Sequence, residues 1–318
     1  MKLFVVVIAA FLSLISSGAF AQSCPDKNLM YWLGFPAGGE ADQSARHQQL
    51  VLKKKCPKVE TVVNYKPGAG GGLMWSQANA LPADGTNIYG VVLPHIVVQP
   101  LEGVVQYKTE DLTPIYWFRY MPDAIVVPAS SPIKTFQDLV KIAKAKPKEI
   151  TLGGSGTNSA NHIAHERLAM LTGIETTYVP FKGTGDLTTA VLGAQTSGAV
   201  AYTAMAVSNP DKVRALAVAM PQRHPKLPNV PTFRELGYDW VDGGYGGIGV
   251  PKSMSMEGRK RISDMFAMLN ADPEMKVLAE KAGFELIDVP LEQVDAFMKA
   301  RAPTYTSIAQ RLGLGVKK

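Results

Sequence analysis

The feature that most constrains this chain is a repeated alternation of short apolar segments with helical ones, joined by glycine-rich turns. Strand-like segments at 28–35, 59–65 and 87–93 are separated by helical patterns at 42–55 and 72–80. This alternation predicts an α/β fold built on doubly wound, mainly parallel sheets. Ligands of such sheets bind beyond the carboxyl ends of the strands.

A break in the alternation predicts two lobes. The segment YMPDAIVVPASSP (120–132) ends in a Pro-Ala-Ser-Ser-Pro run, after which a second strand–helix alternation begins. The segment GGYGGIGVP (243–251) marks a second crossing, and the sequence after it is mostly helical. We therefore predict a first lobe from 22–122 and 247–318 and a second from 123–246, with the ligand cleft between them.

The first 21 residues predict a secretory signal peptide. Lys2 precedes an almost unbroken apolar run from Leu3 to Ile15, and Ala19 and Ala21 supply the small residues of a cleavage site. The apolar run is too short for the alternative, a membrane anchor. We expect cleavage after Ala21 and a periplasmic location for the mature chain.

The charge of the chain argues against a nucleic-acid surface. Removal of residues 1–21 leaves 32 basic and 27 acidic residues, and the lysines are scattered apart from one run at 53–55. A mild, dispersed positive charge is not the footprint of a polyanion-binding protein.

Two cysteines, Cys24 and Cys56, remain in the predicted mature chain. An exported protein with two cysteines favours a disulfide. Cys24 precedes the first predicted strand and Cys56 precedes the second, which places both at the same edge of a parallel sheet. We predict a bridge between them; the alternative is a pair of free buried thiols.

Three glycine-bearing loops follow predicted strands and run into helices, at 36–41, 67–72 and 153–159. Glycines let the backbone N–H groups turn outward, and the positive end of each helix adds to their attraction for anions. Backbone donors and hydroxyls can hold a carboxylate in this way without a lysine. A single loop of this kind can also be only a tight turn, but three at one edge favour a site.

Other sites built on these loops fit less well. PGAGGG lacks the Gly-Lys-Ser/Thr ending of a phosphate loop, and GFPAGGEAD does not match a dinucleotide fingerprint. His162, His165 and Glu166 stand in the wrong order for a zinc helix, so no metal and no cofactor is expected. An exported hydrolase using Ser155 and His162 is a remote alternative, because no acid stands at an evident place to complete a triad.

The motif GFPAGGEADQSAR (34–46) resembles the opening P-F-P-[AP]-G-G-x-x-D-x-x-A-R of the Bug receptors, which are periplasmic solute-binding components of tripartite tricarboxylate transporters. The likeness continues over nearly the whole mature chain, through NYKPGAGGG (64–72), PADGTNIYG (82–90), GGSGTNSANHIAHERL (153–168), VPFKGTGDLTTAVLGAQ (179–195) and ALAVAMPQRHPKLPNVPTFRELG (215–237).

The resemblance implies a hinged receptor with the type II fold of periplasmic binding proteins, expected as a monomer. Such a receptor carries out no reaction. It binds a small mono- or dicarboxylate, aromatic ones included, and delivers it to a membrane permease. The same fold could instead serve as a ligand sensor for a membrane kinase.

Carried over by position, the resemblance places ligand-binding residues on two jaws. The first jaw comprises Phe35, Gly38, Gly39, Glu40, Ala41 and Asp42. The second comprises Ser155, Gly156, Thr157, Asn158 and Ser159, with Lys182 and Gly183 beside it.

Two positions depart from the family pattern. Ser197 stands where members often have an Asp that accepts from a ligand amine, which argues against an amino acid ligand. Glu40 is an added acid beside an expected carboxylate site. It either favours a ligand with a neutral, hydrogen-bonding far end or points to solvent.

Overall fold

The computed structural model describes residues 24–311 and 313–314; the predicted signal peptide lies outside these residues. The strands are β1 Leu29–Leu33, β2 Thr61–Tyr65, β3 Asn87–Leu93, β4 Pro114–Pro128, β5 Thr151–Gly154, β6 Thr177–Pro180, β7 Gly198–Tyr202, β8 Val213–Val218, β9 Gly243–Gly249 and β10 Glu285–Val289.

The α-helices are α1 Glu40–Lys55, α2 Gly72–Trp75, α3 His95–Glu102, α4 Phe136–Ala145, α5 Ala160–Thr172, α6 Thr184–Leu192, α7 Thr203–Ser208, α8 Met256–Asn270, α9 Pro273–Ala282 and α10 Leu291–Arg311. None of these described helices has the length and apolar character needed to cross a membrane.

The sheet system has two parts, each with a parallel core. In the first part β2, β1 and β3 are parallel, and β9 and then β4 follow in antiparallel pairing. In the second part β6, β5 and β7 are parallel, and β4 again lies antiparallel beside β7. The predicted fold class is confirmed, with antiparallel pairing confined to the partners of β4 and β9.

Strand β4 belongs to both parts of the sheet. Residues Pro114–Pro122 pair with β9, and residues Asp123–Pro128 pair with β7 and β8. The sequence predicts a strand only at 124–127. The first half of β4 is buried on both faces, so it lacks the alternation that marks a half-exposed strand. Strand β9 brings the chain back to the first part of the sheet. It pairs there from Gly243 onward, four residues before residue 247, where the sequence predicts the return to the first lobe.

The first long helix, α1, begins two residues earlier than its predicted start at Asp42. Its N-cap is Gly39, and Glu40 is its first residue. The carboxylate of Asp42 instead accepts a hydrogen bond of 2.9 Å from the Gly38 N–H. Asp42 therefore holds the preceding loop in place, and Glu40 is the first residue of α1.

Each part of the sheet has its own apolar core. In the first, the ring of Tyr31 packs edge-on against Phe266 beneath α8. In the second, Phe233 stacks on Trp240 at 4.2 Å between ring centroids and lies against Phe136. These separate cores are what two independently packed lobes require.

The predicted disulfide between Cys24 and Cys56 is confirmed, with the two Cα atoms 5.7 Å apart. It joins the residues before β1 to the residue that ends α1. Arg261 of α8 also donates a 2.7 Å hydrogen bond to the Cys24 carbonyl, so two contacts hold this end of the described chain.

We expect the double substitution C24S/C56S to lower the free energy of unfolding by about 3–4 kcal/mol, because the bridge closes a loop of 32 residues in the unfolded chain. Urea unfolding followed by circular dichroism measures this loss. Treatment of the unsubstituted protein with a thiol reductant should reproduce it and leave the variant unaffected. A variant as stable as the parent would contradict the prediction.

Candidate ligand-binding site

Four loops lie at the carboxyl ends of parallel strands, where a site is expected. The loops after β1 and β2 belong to the first lobe, and those after β5 and β6 to the second. Three of them lead directly into helices α1, α5 and α6, so backbone N–H groups at the helix starts point toward this region.

The loop after β1 touches the start of α6. The Glu40 N–H donates a 3.0 Å hydrogen bond to the Thr184 hydroxyl across the cleft. A Cβ added at Gly185 would lie 3.2 Å from both the carbonyl carbon of Gly38 and the nitrogen of Gly39. The predicted residue Gly183 packs against Pro36 in the same contact. The two lobes therefore meet at the first jaw through close backbone contacts and through the side chains of Pro36 and Thr184.

A second contact joins the loops after β2 and β5. A Cβ added at Gly156 would lie 3.6 Å from the Cα of Gly70, and one added at Gly70 would lie 3.7 Å from the Thr157 carbonyl oxygen. Gly156 has φ +98° and Gly70 has φ +56°, backbone conformations that favour glycine. Gln99 of α3 supports this side by donating a 2.8 Å hydrogen bond to the Gly70 carbonyl.

A cavity of about 30 Å³ lies behind the first contact. It is lined by Phe35, Glu40, Ala41, Val92, His95, Arg119, Met121, Ser155, Thr184 and Tyr202. A cavity of this size holds about two water molecules, so a carboxylate ligand requires the lobes to part first. Larger grooves of about 490 and 320 Å³ occur elsewhere, but the loops at the strand ends do not line them.

Arg119 is the principal residue of the cavity that sequence reasoning missed. It extends from the middle of β4 and is only 3% exposed. Its Nη1 donates to the Glu40 carbonyl at 2.6 Å and to the Ser44 hydroxyl, and its guanidinium lies 4.9 Å from the centre of the Phe284 ring. The sequence did carry one signal for it: Arg119 is a lone charged residue within the aromatic stretch YWFRYM, and a charged residue is seldom buried without a specific role.

Unsatisfied polar atoms mark the cavity lining. Within the described residues, neither the Nε of Arg119 nor either ring nitrogen of His95 has a hydrogen-bond partner. The side-chain nitrogen of Asn161, next to Ser155, also has none. Native proteins leave few buried polar groups unpaired, and the ring nitrogens of His95, which lines the cavity, are placed to meet a polar group there.

The electrostatics of the cavity rest on one cation and one acid. Burial raises the pKa of the Glu40 carboxyl to about 7, and the positive charge of Arg119 opposes this rise. Burial lowers the pKa of His95 to about 3, which keeps its imidazole neutral. Arg119 stays protonated at any pH relevant to a folded protein.

The loop after β5 is held rigid by its own side chains. The N–H of Ser155 donates to the Asn161 side-chain oxygen at 3.1 Å, and the Ser155 hydroxyl contacts the same oxygen. Ser159 caps α5 by accepting from the His162 N–H, while the Asn158 N–H donates to the His162 ring. The Ser155 hydroxyl therefore pairs with an amide and not with a histidine, which does not support the hydrolase alternative.

The remaining predicted residues fall into three groups. Asp42, Asn158 and Ser159 brace the two jaws, while Gly38, Gly39, Gly156 and Thr157 form the contacts between loops. Lys182 is exposed.

The structure does not bring Ser197 to the cavity. Its hydroxyl accepts from the Thr151 N–H at 3.1 Å, at the amino end of β5. Ser197 immediately precedes β7, which runs parallel to β5, so it lies at the opposite end of the strands from the cleft. Its assignment as a ligand residue was therefore wrong, and Ser197 gives no reason to exclude an amino acid ligand.

His162, His165 and Glu166 bond to one another and to the fold around them. Glu166 contacts both histidines, and the second ring nitrogen of His165 lies 2.8 Å from the Thr176 hydroxyl. Over the residues that the structure describes, no three His, Cys, Asp or Glu side chains are grouped as metal ligands.

Two α/β lobes that close their strand-end loops over a polar cavity define a solute-binding receptor of the periplasmic-binding-protein class. The family described as tripartite tricarboxylate transporter family receptor (TctC) matches residues 45–314. The chain belongs to this family, whose members are receptors and not enzymes. The resemblance to Bug receptors is confirmed.

Curated relatives support the assignment. A UPF0065 protein of Cupriavidus necator is 28% identical over 307 residues, which cover 95% of this chain and 93% of the relative. The protein BugT of Bordetella pertussis is 27% identical over 232 residues, 70% of each chain.

Solved structures show the same fold. The periplasmic binding protein BugD matches with a TM-score of 0.84 at 24% identity, covering 91% of this chain and 99% of its own. An R. palustris protein described with adipate matches at 0.85 and 22% identity, over 91% of this chain and 98% of its own. MatC from Rhodopseudomonas palustris, described with bound malate, matches at 0.81 and 20% identity, over 90% and 99%.

We expect Gly185→Ala to hold the lobes apart, because its Cβ would press on backbone atoms of Gly38 and Gly39 that cannot rotate away. Alanine suits the first turn of α6, so the helix itself should gain stability. Small-angle X-ray scattering should give a larger radius of gyration than that of the parent.

The matched control is Gly258→Ala in the first turn of α8, where the added Cβ meets the flexible side chain of Met254. Its radius of gyration should equal that of the parent. An unchanged radius for Gly185→Ala would show that the lobes do not touch here in solution.

Proposed function

We propose that the protein captures a small carboxylate between its two lobes and delivers it to the membrane permease of a tripartite tricarboxylate transporter. The observation that carries the proposal is the cavity between the jaws, where the buried Arg119 guanidinium and unpaired polar atoms of His95 line one space. Two structural neighbours described with adipate and malate support a carboxylate as the ligand class.

Arg119 supplies the charge for this capture. Its Nη1 is committed to the Glu40 carbonyl and the Ser44 hydroxyl, and its Nε packs against the backbone of Gly246, so Nη2 is the part of the guanidinium left for a ligand oxygen. Hydrogen bonds from a charged donor to a carboxylate are roughly twice as strong as those between neutral groups. The Ser155 hydroxyl would turn its proton from the Asn161 oxygen, which keeps its bond from the Ser155 N–H, and donate to the ligand. The Thr184 hydroxyl and the N–H groups at the starts of α5 and α6 would bind the remaining oxygens.

The lobes of this proposal comprise residues 22–122 with 247–318, and residues 123–246. The change of sheet within β4, after Pro122, supports the first boundary. The contact between Glu40 and Thr184 would break as the loops separate to admit the ligand, and the loops would then close over the ligand.

Export to the periplasm belongs to the same proposal. Residues 1–21 would be removed as a signal peptide after Ala21. A disulfide between Cys24 and Cys56 suits an oxidising compartment, and it supports this location. A monomeric receptor would then diffuse to the permease with its ligand.

Isothermal titration calorimetry of the mature protein against acetate, benzoate, succinate, malate, adipate and citrate tests the ligand class. We expect at least one mono- or dicarboxylate to bind with a micromolar or tighter Kd, about −8 kcal/mol or better. The matched primary alcohols and amides should not bind, because they carry no charge for Arg119. The absence of heat and of thermal stabilisation with every carboxylate would overturn the proposal.

We expect Ser155→Ala to weaken binding of the best carboxylate by about 1 kcal/mol or more, because a buried hydrogen bond to charge is lost. Thr189→Ala is the matched control, since this exposed hydroxyl bonds within α6 to the Gly185 carbonyl. Equal affinities for the two variants would show that the loop after β5 is not a jaw.

A further inference from the structure

Glu40 is positioned by its backbone while its side chain is left unpaired. Its N–H bonds to Thr184 of the other lobe, and its carbonyl accepts from Arg119. Among the described residues, no hydrogen bond or ion pair within 4 Å is formed by its carboxyl, which lines the cavity. The acid therefore stands where the proposed ligand would bring a second negative charge.

The titratable groups around this carboxyl come from five elements. Arg119 of β4 provides the positive charge, and its guanidinium is also near Tyr31 of β1 and His47 of α1. Tyr202 of β7 lines the cavity as well, and burial raises the pKa of its phenol, so it is neutral. His95 of α3 is neutral too.

Among these groups, Arg119 carries the positive charge of the cavity. If Glu40 is ionised, Arg119 is already neutralised in a space of about 30 Å³, and an incoming carboxylate adds an uncompensated charge. Glu40 is half-buried, and where two carboxyl groups share a site the pKa of one of them is strongly raised. A proton on Glu40 removes the conflict and turns its side chain into a hydrogen-bond donor.

We infer that Glu40 holds the ligand as a neutral carboxylic acid, so that binding of one carboxylate takes up one proton from solvent. The proton goes to a carboxyl oxygen of Glu40, whose O–H then donates to an oxygen of the ligand carboxylate. This inference rests on the proposed carboxylate site and assigns Glu40 as its specificity-determining residue.

The protonation equilibrium of the free protein is poised for this coupling. Burial raises the pKa of Glu40 to about 7, and a bound carboxylate raises it further. Below about pH 6 the acid is protonated with or without ligand, so affinity does not change with pH. Above about pH 7 the free protein must gain a proton to bind, so affinity falls as pH rises, toward tenfold per pH unit.

Calorimetric titration with succinate, adipate and benzoate from pH 5.5 to 8.5 measures the coupling. We expect Kd, corrected for protonation of the ligand's own carboxyl groups, to be constant below about pH 6 and to rise by up to about tenfold per unit above pH 7. Near pH 8, titrations in phosphate and Tris, which differ in ionisation enthalpy, should show uptake of about one proton per ligand bound. In Glu40→Gln, where the side chain cannot ionise, both the slope and the proton uptake should disappear.

Glu257→Gln is the matched control, because Glu257 is also a first-turn glutamate but lies on α8, outside the cavity lining. It should keep the slope of the parent. Thermal unfolding without ligand gives a second readout. The melting temperature of Glu40→Gln minus that of the parent should increase as pH rises from 4.5 to 7. The sign follows because the pKa of Glu40 is higher in the folded chain than in the unfolded chain. The parent therefore loses stability as pH rises between these two pKa values, whereas Glu40→Gln does not.

The outcomes separate this inference from the function on which it rests. Carboxylate binding with the same slope in the parent and in Glu40→Gln would overturn the role of Glu40 and leave the receptor function standing. Affinity that increases above pH 7 would overturn it too, because Glu40 would then act ionised against a cationic ligand group. No carboxylate binding at any pH would overturn the proposed function itself.

Discussion

The cleft depends on one buried cation. A guanidinium that is 3% exposed would be strongly destabilising unless polar partners met its charge. Arg119 finds those partners in the Glu40 carbonyl, the Ser44 hydroxyl and the face of Phe284. Because two of them belong to the first turns of α1, the same interaction that solvates the charge also fixes the helix mouth over the cavity. The position of Glu40 thus follows from the solvation of Arg119.

The two crossings between the lobes are bonded to each other. The Asp123 N–H of β4 donates to the Asp242 carbonyl, and main-chain bonds link Ala219 to both aspartates. Burial and their proximity raise the pKa of Asp123, and burial raises that of Asp242, whose carboxylate still pairs with Arg167 at 2.6 Å. In the proposed receptor, opening of the cleft would occur around this hydrogen-bonded segment, which favours a hinge motion of the two lobes.

Local signals predicted much of this arrangement, and long-range ones were missed. The alternation, the glycine loops and the disulfide lie in short stretches of sequence. The family resemblance rests on equally short motifs, and it is what placed Phe35, Glu40, Ala41 and Ser155 at the cleft. Arg119 could not be placed in this way, because β4 is buried on both faces and has no periodicity to show where each side chain points. The error at Ser197 has a related origin. The motif fixed the position of Ser197 in the sequence, but it did not show that Ser197 lies at the amino end of β7, away from the cleft.

A single cation in a small cavity makes a receptor sensitive to the number of charges on its ligand. A cluster of lysines would attract any anion, whereas in the proposed complex Arg119 would balance one carboxylate and leave a second to neutral donors at the helix starts. Glu40 would sharpen this distinction, since its ionised form would oppose even one carboxylate while its protonated form would accommodate one. Selectivity would then arise from the charge balance of the cavity, and the backbone contacts between the lobes would set how completely water is excluded from it.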